Sequence, residues 1–355
     1  MVEQDQDSSI TDRFFILPSE LVEEPMQAKL ILSVVVASFL GTIQPAHPQQ
    51  PAKVPRIGFL TGQITPTSTS LDSNIDAFRQ GLRQRGYIEG KNLIVEYRGA
   101  GGKIERMPEL VAELIGLGVN IIVTVGMPAV IAAKKATSTI PIVTANADNL
   151  VDAGIVTSLA HPGGNVTGST RVDADFSAKR LEILKESFPK LSRVAILFHG
   201  SLGGDEEELQ EIQTAGRELA IQVQSYPTPD PQQFSGAFME MKKQHADALI
   251  FLSSNFTSFH RKQLVEIATE NRLATMCANS AWIEAGCVMA YGPNVSELYR
   301  RAAVFVDKIL KGAKPADLPV EQPTKFDFII SLKTAKQIGL TIPPEVLARA
   351  NRIIR

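Results

Sequence analysis

Cysteine is scarce: the 355 residues contain two, Cys277 and Cys287. This excludes a disulfide-built scaffold and any cysteine-rich zinc or iron–sulfur centre. One bridge is the most the chain can form, and because both residues sit in apolar runs they read as two small buried thiols. Histidine is almost as rare, and the five (His47, His161, His199, His245, His260) form no i, i+4 pair suited to a metal; His199 reads as an exposed loop residue. No block of five Lys or Arg occurs and the net charge is −2, so the basic stripe needed to neutralise phosphates is missing and nucleic acid is excluded as a partner. The longest apolar stretch, Leu30–Leu40, would span roughly half of a ~30 Å hydrocarbon core and cannot anchor the chain. G-x-S-x-G and H-E-x-x-H are missing, and no G-x-G-x-x-G follows the first strand.

The remaining composition, 44% hydrophobic and 21% charged, is that of a soluble globule of about two domains. From Met26 the chain reads as an export signal: Lys29, the apolar stretch, then Gly41, Pro45 and a cleavage position after Ala46. The signal occupies residues 26–46, and the acidic prefix before it precedes the expected true start. The mature protein is therefore expected in the periplasm.

Beyond the Pro-rich linker 45–55, strands alternate with amphipathic helices. Strands are expected at 56–60, 93–97, 121–125 and 140–144, with helices near 73–85, 105–117 and 128–136. In the first helix Ile75, Phe78 and Leu82 form one apolar stripe, with Asp72 or Ser73 placed to cap it. After a polar, Gly-rich pause at 161–175 the pattern restarts. Strands at 193–198, 221–226, 248–252 and 274–278 alternate with helices near 177–188, 205–219, 231–245 and 260–271. A strand at 287–291, a long helix at 295–311, a linker at 312–324, a strand at 326–330 and two short helices complete the chain. Short apolar strands with helical crossovers imply parallel sheets covered on both faces. The repeat implies two doubly wound α/β lobes with a cleft between them.

Open parallel sheets bind ligands at the carboxyl ends of their strands. The candidate binding residues there are Thr61, Gly62, Gly126, Met127, Pro128, Asn146 and Asp148 in the first lobe. In the second they are Ser201, Ser253, Asn255, Ser280, Trp282 and Tyr291. They offer amides, hydroxyls, one carboxylate and aromatic faces, but no activated nucleophile, so no catalytic residue, metal or cofactor is expected. Gly99–Lys103 (GAGGK) resembles a phosphate loop but has neither the leading Gly nor the Ser/Thr after Lys103. Asp173 and Asp175, alternate residues of an extended segment, point apart and make no acid/base pair.

The runs RIGFLTG (56–62), FRQGLRQRGYIEGKNLIVEYR (78–98), VTVGMPAVIAAKKATSTIPIV (123–143), HPGGNVTG (161–168), KRLEILKESFPKLSRVAIL (179–197) and the stretch MAYGPNVSELYRR to IGLTIPP (289–344) stand in this order. Over about 55–355 they resemble the bacterial ABC-transporter substrate-binding proteins of tryptophan/tyrosine type. The resemblance implies a type I, leucine-binding-like periplasmic binding protein: two doubly wound parallel-sheet lobes joined by a three-segment hinge. It divides the chain into a prefix, signal and linker (1–54), lobe one (55–168 with 291–322) and lobe two (169–290 with 323–355). Crossings are implied near 168–170, 291–293 and 322–325, where Gly168 and Gly292-Pro293 fit a change of lobe. The pocket loops depart from the family: Ala147-Asp148-Asn149 and Ser253–Phe256 stand where many relatives carry Asp-Pro, and 199–204 where Asn-Pro is common.

The expected function is capture of a small solute, an amino acid or related carboxylate or amide, by a monomeric protein that docks on an ABC permease. The alternatives are an extracytoplasmic sensor of the same fold and a two-domain α/β enzyme.

Overall fold

The computed structural model describes residues 54–66, 72–171, 174–200 and 205–355. The expected export signal, Ser201 and Asp173 lie outside the described residues. Two sheets organise the chain. The first has five parallel strands in the order β2-β1-β3-β4-β5: β1 (Arg56–Thr61), β2 (Ile94–Gly99), β3 (Ile121–Val125), β4 (Ile142–Asp148) and β5 (Val166–Arg171). Its crossover helices are α1 (Ser73–Arg83), α2 (Met107–Gly116) and α3 (Met127–Ala136). Asp72 caps α1 as expected, its carboxylate accepting from the N–H groups of Asn74 (2.8 Å) and Ile75 (3.2 Å).

The second sheet has seven strands in the order β12-β11-β10-β9-β8-β6-β7. They are β6 (Arg193–Phe198), β7 (Gln222–Pro227), β8 (Ala248–Phe251), β9 (Ala274–Cys277), β10 (Met289–Pro293), β11 (Phe326–Ser331) and β12 (Arg352–Ile354). Only the β10–β11 pair is antiparallel. The helices are α4 (Ala174–Ser187), α5 (Asp205–Glu218), α6 (Phe234–Lys243), α7 (Asn255–Phe259), α8 (Arg261–Glu270), α9 (Ser280–Glu284), α10 (Val295–Leu310), α11 (Leu332–Gln337) and α12 (Pro344–Leu347).

The chain passes between the sheets three times. β5 belongs to the first sheet, while α4 buries Leu181, Ile183 and Leu184 in the core of the second. β10 lies in the second sheet, yet α10 returns Val295, Tyr299, Ala302, Phe305 and Val306 to the first core, beside Ile75, Phe78 and Leu82 of α1. The two helices approach so closely that a methyl on Gly81 would lie 2.8 Å from the Ala303 Cβ. The segment after α10 then runs along β5, where the Glu321 carbonyl accepts from Thr170 N–H and the Glu321 N–H donates to Gly168 O, both at 2.9 Å, before β11 rejoins the second sheet.

Four elements differ from the expectation. β5 occupies the supposed polar pause: Thr167, Ser169 and Thr170 are buried, and the Thr167 hydroxyl donates to Leu318 O at 2.7 Å. Buried polar side chains of that kind leave no apolar alternation to detect. α7 and α9 have five residues each, too short for a helical period to register, and β12 has three. The cysteines are also corrected: Cys277 and Cys287 are not thiols but a disulfide, with Cα atoms 6.7 Å apart. β9 and β10 lie side by side, bringing the two apolar runs within bonding reach.

Candidate functional site

A cavity of about 670 Å³ lies between the carboxyl ends of the two sheets, within the ~300–1,000 Å³ range of small-molecule sites. On the first lobe β1 delivers Thr61, whose hydroxyl accepts from Gln63 N–H at 3.2 Å. β3 ends at Gly126, which turns at φ +83° into α3 and donates its N–H to Asn146 O at 2.7 Å. Met127 and Pro128 then open α3 into the cavity. A register shift beyond Thr144 turns the end of β4, so that Asn146 and Asp148 both reach the space. The buried Asn146 Oδ1 has no hydrogen-bond partner among the described residues. An unsatisfied buried acceptor is costly, which suits this oxygen to a ligand's donor.

Lobe two supplies the opposing wall. Ser254 and Thr257 form a capping box that starts α7 immediately after β8 and places Ser253 and Asn255 at the cleft. Asn279 caps α9, accepting from Ala281 N–H at 3.1 Å, and α9 carries Trp282. The indole is 1% exposed and stacks on Phe251 with ring centroids 4.8 Å apart. Glu208 reaches the cavity from α5 while paired at 3.0 Å with the fully buried Arg180, whose Nε donates to Tyr291 O at 2.9 Å. Among the described residues, five carboxylates line the space (Asp72, Asp148, Asp205, Glu207, Glu208) against two cations, Arg261 and Lys262. Burial raises the Asp205 pKa, partly offset by the hydrogen bond its carboxylate accepts from Gly200 N–H at 2.9 Å and by His199.

The lobes meet through α7. A methyl on Gly126 would lie 2.7 Å from Asn255 Nδ2, one on Gly62 3.1 Å from Asn255 Cγ, and one on Gly102 2.8 Å from the Phe259 ring. The approaches at Gly126 and Gly102 are closer than a side chain allows and that at Gly62 is tight, so three lobe-one glycines receive side chains from the two ends of one lobe-two helix. This accounts for GAGGK without a phosphate. The N–H groups of Ala100, Gly101 and Gly102 donate to the carbonyls of Thr61, Gln63 and Gly62 at 3.0, 2.9 and 2.9 Å, which leaves none of them for an anion.

A profile of the ABC transporter substrate-binding proteins matches residues 66–354. The chain belongs to that family. A tyrosine-binding protein of Clostridioides difficile (strain R20291) is 22% identical over 271 residues, covering 76% of this chain and 78% of the relative. Two solved structures share the fold. A conserved domain protein of Vibrio cholerae is 24% identical with a TM-score of 0.77, over 85% of this chain and 100% of that one. The ABC domain of Streptococcus pneumoniae in complex with L-Trp is 23% identical with a TM-score of 0.76, over 84% of this chain and 99% of that one. The two-lobed, mostly parallel architecture is that of type I periplasmic binding proteins.

In this binding-protein fold the cavity gathers Thr61, Gly126, Met127, Pro128, Asn146, Asp148, Ser253, Asn255 and Trp282 of the residues expected from sequence. Gly62 does not line it but sits behind Asn255. Ser280 also falls outside the lining, although its neighbours Asn279 and Ala281 are part of it. Tyr291 is placed elsewhere: its ring packs between Phe176 and Phe328 in the lobe-two core because β10 continues to Pro293. His199 is half-buried with its ring edge-on to Phe256 at 4.7 Å, rather than exposed. Sequence reasoning missed Phe259, Arg261 and Lys262, which reach the cleft because α7 and α8 (Arg261–Glu270) follow one another at His260. It also missed Val295 and Tyr299 of α10, whose first turn forms part of the wall.

Proposed function

We propose that the mature chain is an exported, monomeric component of an ABC importer that encloses one small solute between its lobes and hands it unchanged to a permease. The observation that carries this reading is the cavity itself, walled from both sides and bridged by α7 seated on lobe-one glycines. The lining suits an amine-bearing solute with an apolar body. Carboxylates outnumber cations, the Asn146 carboxamide oxygen awaits a donor, and Trp282, Tyr299, Phe259 and Met127 provide apolar surface. Amino acids with large side chains meet this description, in keeping with the tyrosine-binding relative and the L-Trp-bound structure.

The proposed contacts are the thirteen residues named from sequence with Gly62, Ser280 and Tyr291 moved to supporting roles, and no cofactor or catalytic step enters. The signal at 26–46 would deliver the protein to the periplasm. The proposed hinge comprises the three interlobe passages around 168–171, 293–295 and 320–326, and lobe rotation about them would open the cleft. A thermal-shift screen of amino acids, aromatic acids, purines and short amides tests this. A solute at 100 times its Kd adds about 2.7 kcal/mol to stability, so at least one should raise Tm by several degrees. A flat response to every class overturns the reading.

A further inference from the structure

The stretch of lobe two that carries Trp282 is closed on itself by a covalent bond. Cys277, the last residue of β9, is bonded to Cys287, ten positions later and just before β10, and both are fully buried. Within that loop lie Asn279, Ala281 and Trp282, which together form one wall of the cavity. Core packing holds them too, since Trp282 and Ile283 are buried with Phe251, but regular secondary structure adds little. The helix inside the loop, α9, has five residues, well below the ~12–15 at which a helix persists unaided. The flanking strands share only two register pairs, Met276 with Met289 and Cys277 with Ala290.

The indole is tied to the bridge through the backbone. Trp282 O accepts from the N–H of Cys287 at 2.9 Å, and Trp282 N–H donates to Asn279 O at 3.2 Å. Gly286, between α9 and Cys287, turns at φ +108°, a conformation that favours glycine and gives the loop a pivot if its ends are released. Fixing both ends through residues 277 and 287 removes alternative loop conformations and leaves the ring on Phe251, facing the cavity.

We propose that the Cys277–Cys287 disulfide is a positioning element for solute capture: it holds the Trp282 wall in place, and the site is complete only in the oxidised chain. This rests on the cleft being the solute site. Binding competence is then acquired where thiols are oxidised, outside a reducing cytoplasm.

Trp282 is the single tryptophan of the chain, so its fluorescence reports the wall directly and without a solute. The oxidised full chain is compared with Cys277→Ser/Cys287→Ser by acrylamide quenching at 25 °C, and with L-tyrosine as the probe for calorimetric titration. In the wild type the buried indole should emit at short wavelength and be weakly quenched. In the variant, with unchanged far-ultraviolet dichroism and a cooperative melt, emission should shift to the red and the quenching constant rise at least threefold. Where the wild type binds L-tyrosine, the variant should bind at least tenfold more weakly. Equal quenching in the folded variant, or an unchanged L-tyrosine Kd, would show a purely stabilising bond and overturn the proposal. If the serine variant does not fold, Cys277→Ala/Cys287→Val, which keeps the buried volume apolar, decides by the same quenching criterion. Because quenching needs no solute, a mobile Trp282 in a chain that binds nothing refutes the solute site alone, whereas a fixed Trp282 refutes the positioning role alone.

Discussion

Substituting Gly126 by Ala should weaken solute binding through a collision that exists only when the lobes are together. The new methyl would lie 2.7 Å from Nδ2 and 2.8 Å from Oδ1 of Asn255, about an ångström inside van der Waals contact. Asn255 belongs to lobe two, so the collision is relieved by opening the cleft. Overpacking of this kind costs about 1–3 kcal/mol, which raises Kd by roughly 5- to 150-fold, chiefly through faster dissociation. The positive φ of 83° adds about 1–3 kcal/mol of backbone strain, but this falls on open and closed forms alike and lowers Tm without changing affinity. The two contributions separate in a double-mutant cycle with Asn255→Ala. The smaller side chain removes the collision, so Gly126→Ala should cost little affinity when made in the Asn255→Ala background, while the double variant's Tm stays low. Stopped-flow or calorimetric titration with the most stabilising solute of the screen provides the assay. Wild-type affinity in Gly126→Ala, or an equal loss from Gly126→Ala in the wild-type and Asn255→Ala backgrounds, would refute the steric account of closure.

Two further outcomes follow from the charges around the cleft. Arg180→Met removes the cation facing the buried Glu208 carboxylate, which keeps the hydrogen bond from the Ser177 hydroxyl, and should cost about 3–5 kcal/mol of stability by chemical denaturation, whereas Arg180→Met with Glu208→Leu should recover most of that loss; equal losses would show that the ion pair is not the reason. Because burial raises the folded pKa of Asp205, its contribution is fully present below the ordinary carboxylate pKa of about 4 and is lost as pH rises through the folded value. Asp205→Asn should therefore be more stable than the wild type at pH 7, with the advantage vanishing towards pH 4; a pH-independent difference in melting temperature would contradict the burial argument.

The sheets were legible because their strands are short apolar runs such as Ile121–Val125, and the helices because stripes like Ile75, Phe78 and Leu82 repeat at helical spacing. The strand-end loops followed from the fold class, which is why Asn146, Ser253 and Asn255 were found together. Tyr291 was misplaced by the same logic: the antiparallel pairing of β10 with β11 carries the strand two residues past it, and nothing in MAYGP signals that. Phe259 and Tyr299 were illegible for another reason. Their place in the cleft depends on how α7 meets the opposite lobe and on how α10 packs back on the first core, which is tertiary geometry with no local pattern. The disulfide was missed because apolar neighbours describe a buried cystine as well as they describe two buried thiols.

Small-angle X-ray scattering of residues 54–355, stripped of solute and then saturated with the most stabilising solute of the screen, tests most directly that two lobes close on a guest. The saturated curve should match the closed arrangement of residues 54–355, and the stripped sample should show a larger radius of gyration. Superimposable curves, at a solute concentration that titration shows to be saturating, would contradict capture by closure.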